Sequence, residues 1–395
     1  VQKTQSIIDG VRAELERIAG QGGVRAAEDA LRAKTTLFAT LTHELRTPLN
    51  GILGMAGLLD LGQLEPNART YVGAIKQSGE LLLDLITEIL DYSRLEAGHV
   101  ALESAPFDPE ATMQSVAELL SPKAHDKNLE IAVVARNGAP ARVLGDDGRL
   151  RQILFNLAGN AVKFTETGGV VIEMAARPGG RLRFNVRDTG PGVPPDKQTL
   201  IFEEFAQADA GVARRHGGTG LGLAIVKKLA LAMGGEVGLV SKPGFGASFW
   251  VELPLAAVES DAQPLLITGV RVCVLSQSNV LTQALRATVS ALGGQPVEID
   301  DRPDVILYDW RAGVSAEQIV ALKRIPRAVI ALAPQEKREA IAECRAAGIV
   351  HYTLKPARRR SLVERIKAAL GEGETVDVAA PEPETEPPKQ PLLGL

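Results

Sequence analysis

The chain is poor in cysteine, with two among 395 residues, Cys273 and Cys344. Two thiols cannot build a disulfide framework, and their scarcity fits a reducing cytoplasm. Long apolar runs are missing too. Nowhere do about 18 consecutive apolar residues occur, so no membrane-spanning helix is expected. The N-terminus carries no secretory pattern. Neither sign of charge dominates: the formal net charge is −4. That balance argues against a nucleic acid polymer or an anionic membrane as a bulk partner. Aromatics make up only 4%, but 45% of residues are hydrophobic and 23% charged, which excludes a disordered chain.

What is present falls into blocks. Residues 1–35 read as a polar helical linker interrupted at Gly20, Gly22 and Gly23. The helical pattern is already under way at Val1, so an upstream portion is expected. Residues 36–103 read as two long helices. In the second, Val72, Ile75, Gly79, Leu82, Ile86 and Ile89 alternate steps of three and four, one apolar seam. Pro66 suits its first turn, after a connection at Leu61–Glu65. A lone hairpin cannot cover such seams, whereas two copies can pair as a four-helix bundle. A homodimer is therefore expected.

Residues 104–256 mix two periods. Strands are expected at Leu129–Val134, Gly169–Ala175, Leu182–Arg187, Glu236–Val240 and Ala247–Glu252. Helices are expected at Ala111–Leu120, Arg149–Lys163 and Leu221–Met233, giving an α+β layered sandwich. Residues 257–268 form a linker. Residues 269–372 alternate buried strands with helices, the pattern of a small doubly wound α/β domain. Its strands are expected at Val270–Leu275, Pro296–Ile299, Val305–Tyr308, Ala328–Leu332 and Ile349–Leu354. Residues 373–395 form a disordered tail rich in Pro and Glu. The tail closes no further domain, so a downstream module is expected.

The first chemistry lies in Phe38-Ala-Thr-Leu-Thr-His43-Glu44-Leu-Arg46-Thr47-Pro48. A neutral imidazole can attack phosphorus and hold the phosphoryl group as a phosphoramidate. Glu44 beside it can take or orient the ring proton. A His-Glu pair by itself is more often a solvated helix face. The whole string, with Leu90-Asp-Tyr-Ser93-Arg-Leu-Glu96-Ala-Gly98, resembles the dimerisation and histidine-phosphotransfer domain of sensor histidine kinases. The resemblance implies that His43 is the phosphoacceptor and Glu44 its base. It also implies that Thr47 positions water when the family acts as a phosphatase.

Four motifs follow. Asn156, Asn160 and Lys163 share one helix face, and amide oxygens suit Mg²⁺. Asp188-Thr-Gly190-Pro-Gly192 ends a strand in a carboxylate and a turn. Gly217-Gly218-Thr219-Gly220-Leu221-Gly222 opens a helix, where backbone amides can meet phosphate. Gly244-Phe-Gly246-Ala-Ser248 forms a turn before a strand. Each alone reads as an ordinary turn or solvated face, and none fits a P-loop or a dinucleotide fingerprint. In this order they resemble the GHKL-type ATP-binding domain of histidine kinases. The resemblance implies ATP and Mg²⁺ as cofactors. It makes Asn160 the metal ligand, puts Asn156 and Lys163 near the phosphates, and gives Asp188 the adenine. Gly218, Thr219, Gly220, Leu221 and Gly222 shape a lid, with Phe202 and Phe205 beneath it; plain core packing remains open for both rings.

The last domain resembles response-regulator receivers, with Asp309 at the acceptor position and Lys355-Pro356 after the lysine strand. It departs from them in three ways. Ser276, Gln277 and Ser278 stand where an acid pair belongs, Ala333 replaces a hydroxyl, and Ile299–Val305 leaves no room for the second helix. Without clustered acids a divalent ion is poorly held, so Asp309 is expected to be a degenerate acceptor. The pattern Tyr352-x-Leu354-x-Pro356-x-Arg358, with Arg338, looks like pseudo-receivers that bind cyclic di-GMP; an ordinary receiver aromatic and solvated arginines is the other reading. The whole resembles a cytoplasmic hybrid histidine kinase that passes phosphate to a receiver aspartate, in a response regulator or a downstream module. The alternative is a phosphatase-biased or non-catalytic scaffold of the same fold.

Overall fold

The computed structural model describes residues 45–46, 49–59, 64–96, 102–204, 206, 220–258, 266–310, 328–334 and 338–371. The chain divides into two compact units, Val1–Ala262 and Gln263–Leu395. No helix among the described residues is long and apolar enough to cross a membrane.

The first unit begins with a helical hairpin. Residues 49–59 form α1 and Pro66–Glu96 form α2. Pro66 opens α2, where its missing N–H costs no helical bond; the Arg69 N–H closes on Glu65 O at 3.0 Å. Val72, Gly79, Ile86 and Ser93 are buried, one residue every seven. Gly79 allows the close approach of α1, since a Cβ there would stand 2.7 Å from Leu53 Cδ2. The expected seam is only half used within one chain: Ile75 and Leu82 each remain 46% exposed. The side chain of Ile89 lies outside the described residues.

The chain continues through β1 (Ala105–Phe107), α3 (Pro109–Asp126), β2 (Glu130–Ala135), β3 (Val143–Gly145) and α4 (Asp147–Phe164). Then come β4 (Gly169–Arg177), β5 (Arg181–Asp188), α5 (Gly222–Ala232), β6 (Glu236–Ser241), β7 (Ala247–Leu253) and β8 (Ala256–Ala257). The main sheet has the order β2-β4-β5-β7-β6. Its β2–β4 pair is parallel and the others antiparallel. Met113, Leu150, Leu154, Leu157, Phe184 and Leu229 are fully buried in one core between helices and sheet. Burying each of these leucines contributes about 1.5–3 kcal/mol. Leu95, near the end of α2, packs against the same core. A small sheet β1-β3-β8 was not anticipated; its strands are too short for alternation to register.

Helix starts follow side-chain caps. Asp108 accepts from the Glu110 and Ala111 N–H groups at 2.8 and 3.1 Å, with Pro109 in the first turn. Asp146 caps α4 through the Arg149 N–H, and its other oxygen accepts from the Glu103 N–H.

The second unit comprises β9 (Arg271–Leu275), α6 (Asn279–Ala291), β10 (Gln295–Val297), β11 (Val305–Asp309), β12 (Ala328–Pro334), α7 (Arg338–Ala346), β13 (His351–Lys355) and α8 (Arg359–Leu370). The strands pair in parallel in the order β10-β9-β11-β12-β13. One core gathers Leu285, Val289, Ile330 and Leu362, and another Ile306, Val329, Cys344 and Ile349. Both sheet faces are thus covered, the doubly wound arrangement. Only a 3₁₀ turn, Ile299–Asp301, lies between β10 and β11, in keeping with the short spacing there.

Candidate nucleotide site

Helix α4 carries Asn156, Asn160 and Lys163, all partly buried. The Lys163 ammonium stands 5.0 Å from the centroid of the Phe164 ring. The C-terminal end of the helix is closed from outside. Lys127 Nζ donates to Val162 O at 2.9 Å and to Lys163 O at 2.7 Å. Thr165 Oγ1 donates to Ala161 O at 2.7 Å.

Asp188 ends β5 and is buried. Its Oδ1 accepts from the Gly190 N–H at 2.9 Å and from the Ala247 N–H at 3.2 Å. Burial pushes its carboxyl above the ordinary aspartate range, and the two N–H bonds pull it part of the way back. The Gly190–Gly192 turn is tied to the β6–β7 hairpin: the Gly244 N–H donates to Pro191 O at 2.7 Å, and the Val193 N–H to Ser241 Oγ at 2.8 Å. Gly246 makes that contact possible. It has φ +86°, and a Cβ there would lie 2.1 Å from Asp188 O.

Helix α5 begins at Gly222, close to α4: a Cβ there would stand 4.0 Å from Asn156 Oδ1. Its N-terminus has no side-chain cap. A helix start without a side-chain cap offers its first N–H groups to an anion. Gly220 precedes it, and Leu221 is buried in the core, so only the backbone of Leu221 is available to a ligand. Phe202 packs edge-on against Phe249 at 6.3 Å, so it belongs to the core margin. Lys227 holds Glu203 at 2.9 Å next to it. His43, Glu44, Thr47, Phe205, Gly218 and Thr219 lie outside the described residues.

In the second unit Asp309 sits at the end of β11 with a side chain 1% exposed. Lys355 Nζ meets its Oδ1 at 2.8 Å, and Ser276 Oγ donates to its Oδ2 at 2.6 Å. Among the described residues no cluster of three or more His, Cys, Asp or Glu side chains could hold a metal. Tyr352 is partly buried, Leu354 is exposed and Pro356 is buried. Two guanidinium groups approach the Tyr352 ring, Arg345 at 6.0 Å and Arg365 at 5.7 Å. Neither was singled out from the sequence. Arg358 is exposed at the start of α8, and Arg338 opens α7 with its side chain outside the described residues. Arg345 and Arg365 belong to helices whose spacing alone does not point them at a strand residue. Lys127 was missed for the same reason.

The geometry has counterparts among known proteins. Residues 145–257 match the family described as Histidine kinase-, DNA gyrase B-, and HSP90-like ATPase. Residues 33–98 match the His Kinase A (phospho-acceptor) domain. Sensor protein GacS of Pseudomonas syringae pv. syringae is 39% identical over 289 residues, covering 71% of this chain and 32% of that protein. Signal transduction histidine-protein kinase BarA of Escherichia coli (strain K12) is 39% identical over 284 residues, covering 70% of this chain and 30% of that protein. The chain thus spans about a third of the length of these curated relatives. The crystal structure of full-length ShkA in complex with AMPPNP matches with a TM-score of 0.70 and 41% identity, covering 84% of this chain and 72% of that one.

Proposed function

The chain belongs to the hybrid sensor histidine kinases, and on that premise we propose that it moves the γ-phosphoryl group of ATP to His43. The observation that carries this is the convergence of Asp188, the α4 amides and the uncapped α5 N-terminus in one domain. Asp188 reads the adenine amine as a charge-assisted acceptor. The α5 N–H groups meet phosphate. Asn160 supplies a hard amide oxygen to Mg²⁺, with Asn156 beside it and Lys163 facing the phosphates. Mg²⁺ supplies charge neutralisation on the phosphates; the protein positions them. Glu44 takes the imidazole proton as His43 attacks the γ-phosphorus and ADP leaves, and Thr47 orients water when a receiver's phosphoaspartate is hydrolysed to phosphate. That ShkA was solved with AMPPNP supports the choice of nucleotide.

The domain boundaries follow this chemistry: 36–103 for the phosphoacceptor hairpin, 104–256 for ATP and 269–372 for the pseudo-receiver. The half-exposed seam at Ile75 and Leu82 supports a homodimer. A receiver aspartate of another domain or protein accepts the phosphoryl group, since Asp309 lacks the neighbouring acids that would hold a divalent ion, with Ser276, Gln277 and Ser278 in their place. Incubation with radiolabelled ATP tests the assignment. Acid-labile label is expected on the wild type and none on His43→Ala, with nucleotide binding kept. Full labelling of His43→Ala overturns it, and an unlabelled wild type that still binds ATP points to the scaffold alternative.

Cyclic di-GMP is the regulator we propose for the second unit. The partly buried Tyr352 ring with Arg345 and Arg365 near it supports this, joining an aromatic surface for a purine to forked donors for phosphate. Exposed Leu354 and Arg358 lie on the same strand and the helix after it. Calorimetry should show binding weakened by Arg365→Ala and Arg358→Ala. No heat at tens of micromolar protein overturns this ligand.

A further inference from the structure

Lys127 lies in the turn between α3 and β2, on a different element from the side chains assigned to the nucleotide. Its single ammonium donates to Val162 O at 2.9 Å, Lys163 O at 2.7 Å and Thr165 O at 3.5 Å. The first two are among the last carbonyls of α4, which lack intrahelical donors and carry the negative end of the helix dipole. The third belongs to the residue that caps the helix. A surface lysine in a turn ordinarily points into water; this one gathers the end of a helix from a different element.

That helix end also supports the adenine loop. A Cβ at Gly190 would stand 3.3 Å from Thr165 Oγ1 and 3.4 Å from Phe164 O. Thr165 is itself held to α4 through its hydroxyl bond to Ala161 O. One side of the Lys127 clamp therefore bears Asn160 and Lys163, and the other bears Thr165, against which Gly190 packs while its N–H donates to Asp188 Oδ1. We propose that Lys127 is a positioning residue for the nucleotide, fixing the spacing between the phosphate-facing helix and the adenine-facing loop. It touches neither end of the ligand and acts through both. ATP has to be gripped at two points set by one rigid body, so a loosened seam weakens binding without altering the transfer step.

The proposal rests on the ATP site described above, and its test separates the two. The full chain is prepared as wild type, Lys127→Met and Lys127→Arg. A fluorescent ATP analogue gives Kd, autophosphorylation at varied ATP gives KM and kcat, and thermal melts accompany both. Lys127→Met is expected to raise Kd and KM about five-fold with kcat within about two-fold of wild type. Lys127→Arg should return both close to wild type, because its forked N–H donors can reach the same carbonyls. A cap that only stabilises the fold would lower the melting temperature and leave Kd and KM unmoved; that result overturns the proposal. A fall in kcat at unchanged KM overturns it as well. A wild-type chain that takes up no nucleotide overturns the ATP site itself.

Discussion

Ser276 Oγ, from the segment where a receiver's acid pair is expected, donates a 2.6 Å hydrogen bond to Asp309 Oδ2. Lys355 holds the other oxygen at 2.8 Å. The carboxylate is satisfied by a hydroxyl and an ammonium, so no cation is needed to balance it. Acetyl phosphate and Mg²⁺ should leave Asp309 unmodified, and a phosphoaspartate found there by mass spectrometry contradicts this. Asp309→Ala should destabilise the second unit by roughly 1–3 kcal/mol, because it removes the buried hydrogen-bonded partner of Lys355 and Ser276. Urea melts followed by the near-ultraviolet signal of Trp310, which is buried in that unit, check the second expectation.

If Asp188 reads adenine as proposed, its raised carboxyl ties nucleotide affinity to fold stability. An acid whose folded pKa is raised above its unfolded value destabilises the fold once pH exceeds the folded pKa, and does nothing below the unfolded one. Burial raises Asp188 in this way. Asp188→Asn keeps an acceptor for the Gly190 and Ala247 N–H groups but removes the buried charge. It should raise the melting temperature of the nucleotide-free chain at neutral pH, and the gain should vanish as pH falls below the ordinary aspartate range. Its ATP affinity should fall about ten-fold, the loss of a charge-assisted hydrogen bond. Wild-type affinity should decline as pH drops through the raised pKa, while that of Asp188→Asn stays flat. Parallel pH profiles for the two proteins would exclude this role.

Gly246 is expected to be intolerant of any side chain. Its φ of +86° and the 2.1 Å approach of a Cβ to Asp188 O act together. Gly246→Ala should destabilise the first unit by about 2 kcal/mol and push the hairpin away from the Asp188–Gly192 turn. Thermal melts and nucleotide titration would register both effects, and wild-type values in both would refute the close approach.

Leu82 separates folding from assembly. It is 46% exposed in the single chain, so Leu82→Glu should change hairpin stability by less than about 0.5 kcal/mol. In a four-helix bundle the same charge would be buried against a second copy. Light scattering should show a dimer for the wild type and a monomer for Leu82→Glu. A variant that remains dimeric excludes this seam as the interface.

Much of this was legible in the sequence because the signals are local. Period and punctuation placed α4 as Arg149–Lys163, against Asp147–Phe164 in the structure, and β7 as Ala247–Glu252, against Ala247–Leu253. The missing acids at Ser276 and the short spacing after Ile299 are likewise matters of residue identity and chain length. The sequence by itself determined the helical hairpin, the layered sandwich, the doubly wound domain and the order of the nucleotide motifs. Only the tertiary structure decided that Ser276 bonds Asp309, that Arg345 and Arg365 approach the Tyr352 ring, and that Lys127 closes α4. Each of those pairs joins elements whose relative placement is set by packing of a shared core. A side chain's reach across that core depends on angles and distances that no residue spacing encodes.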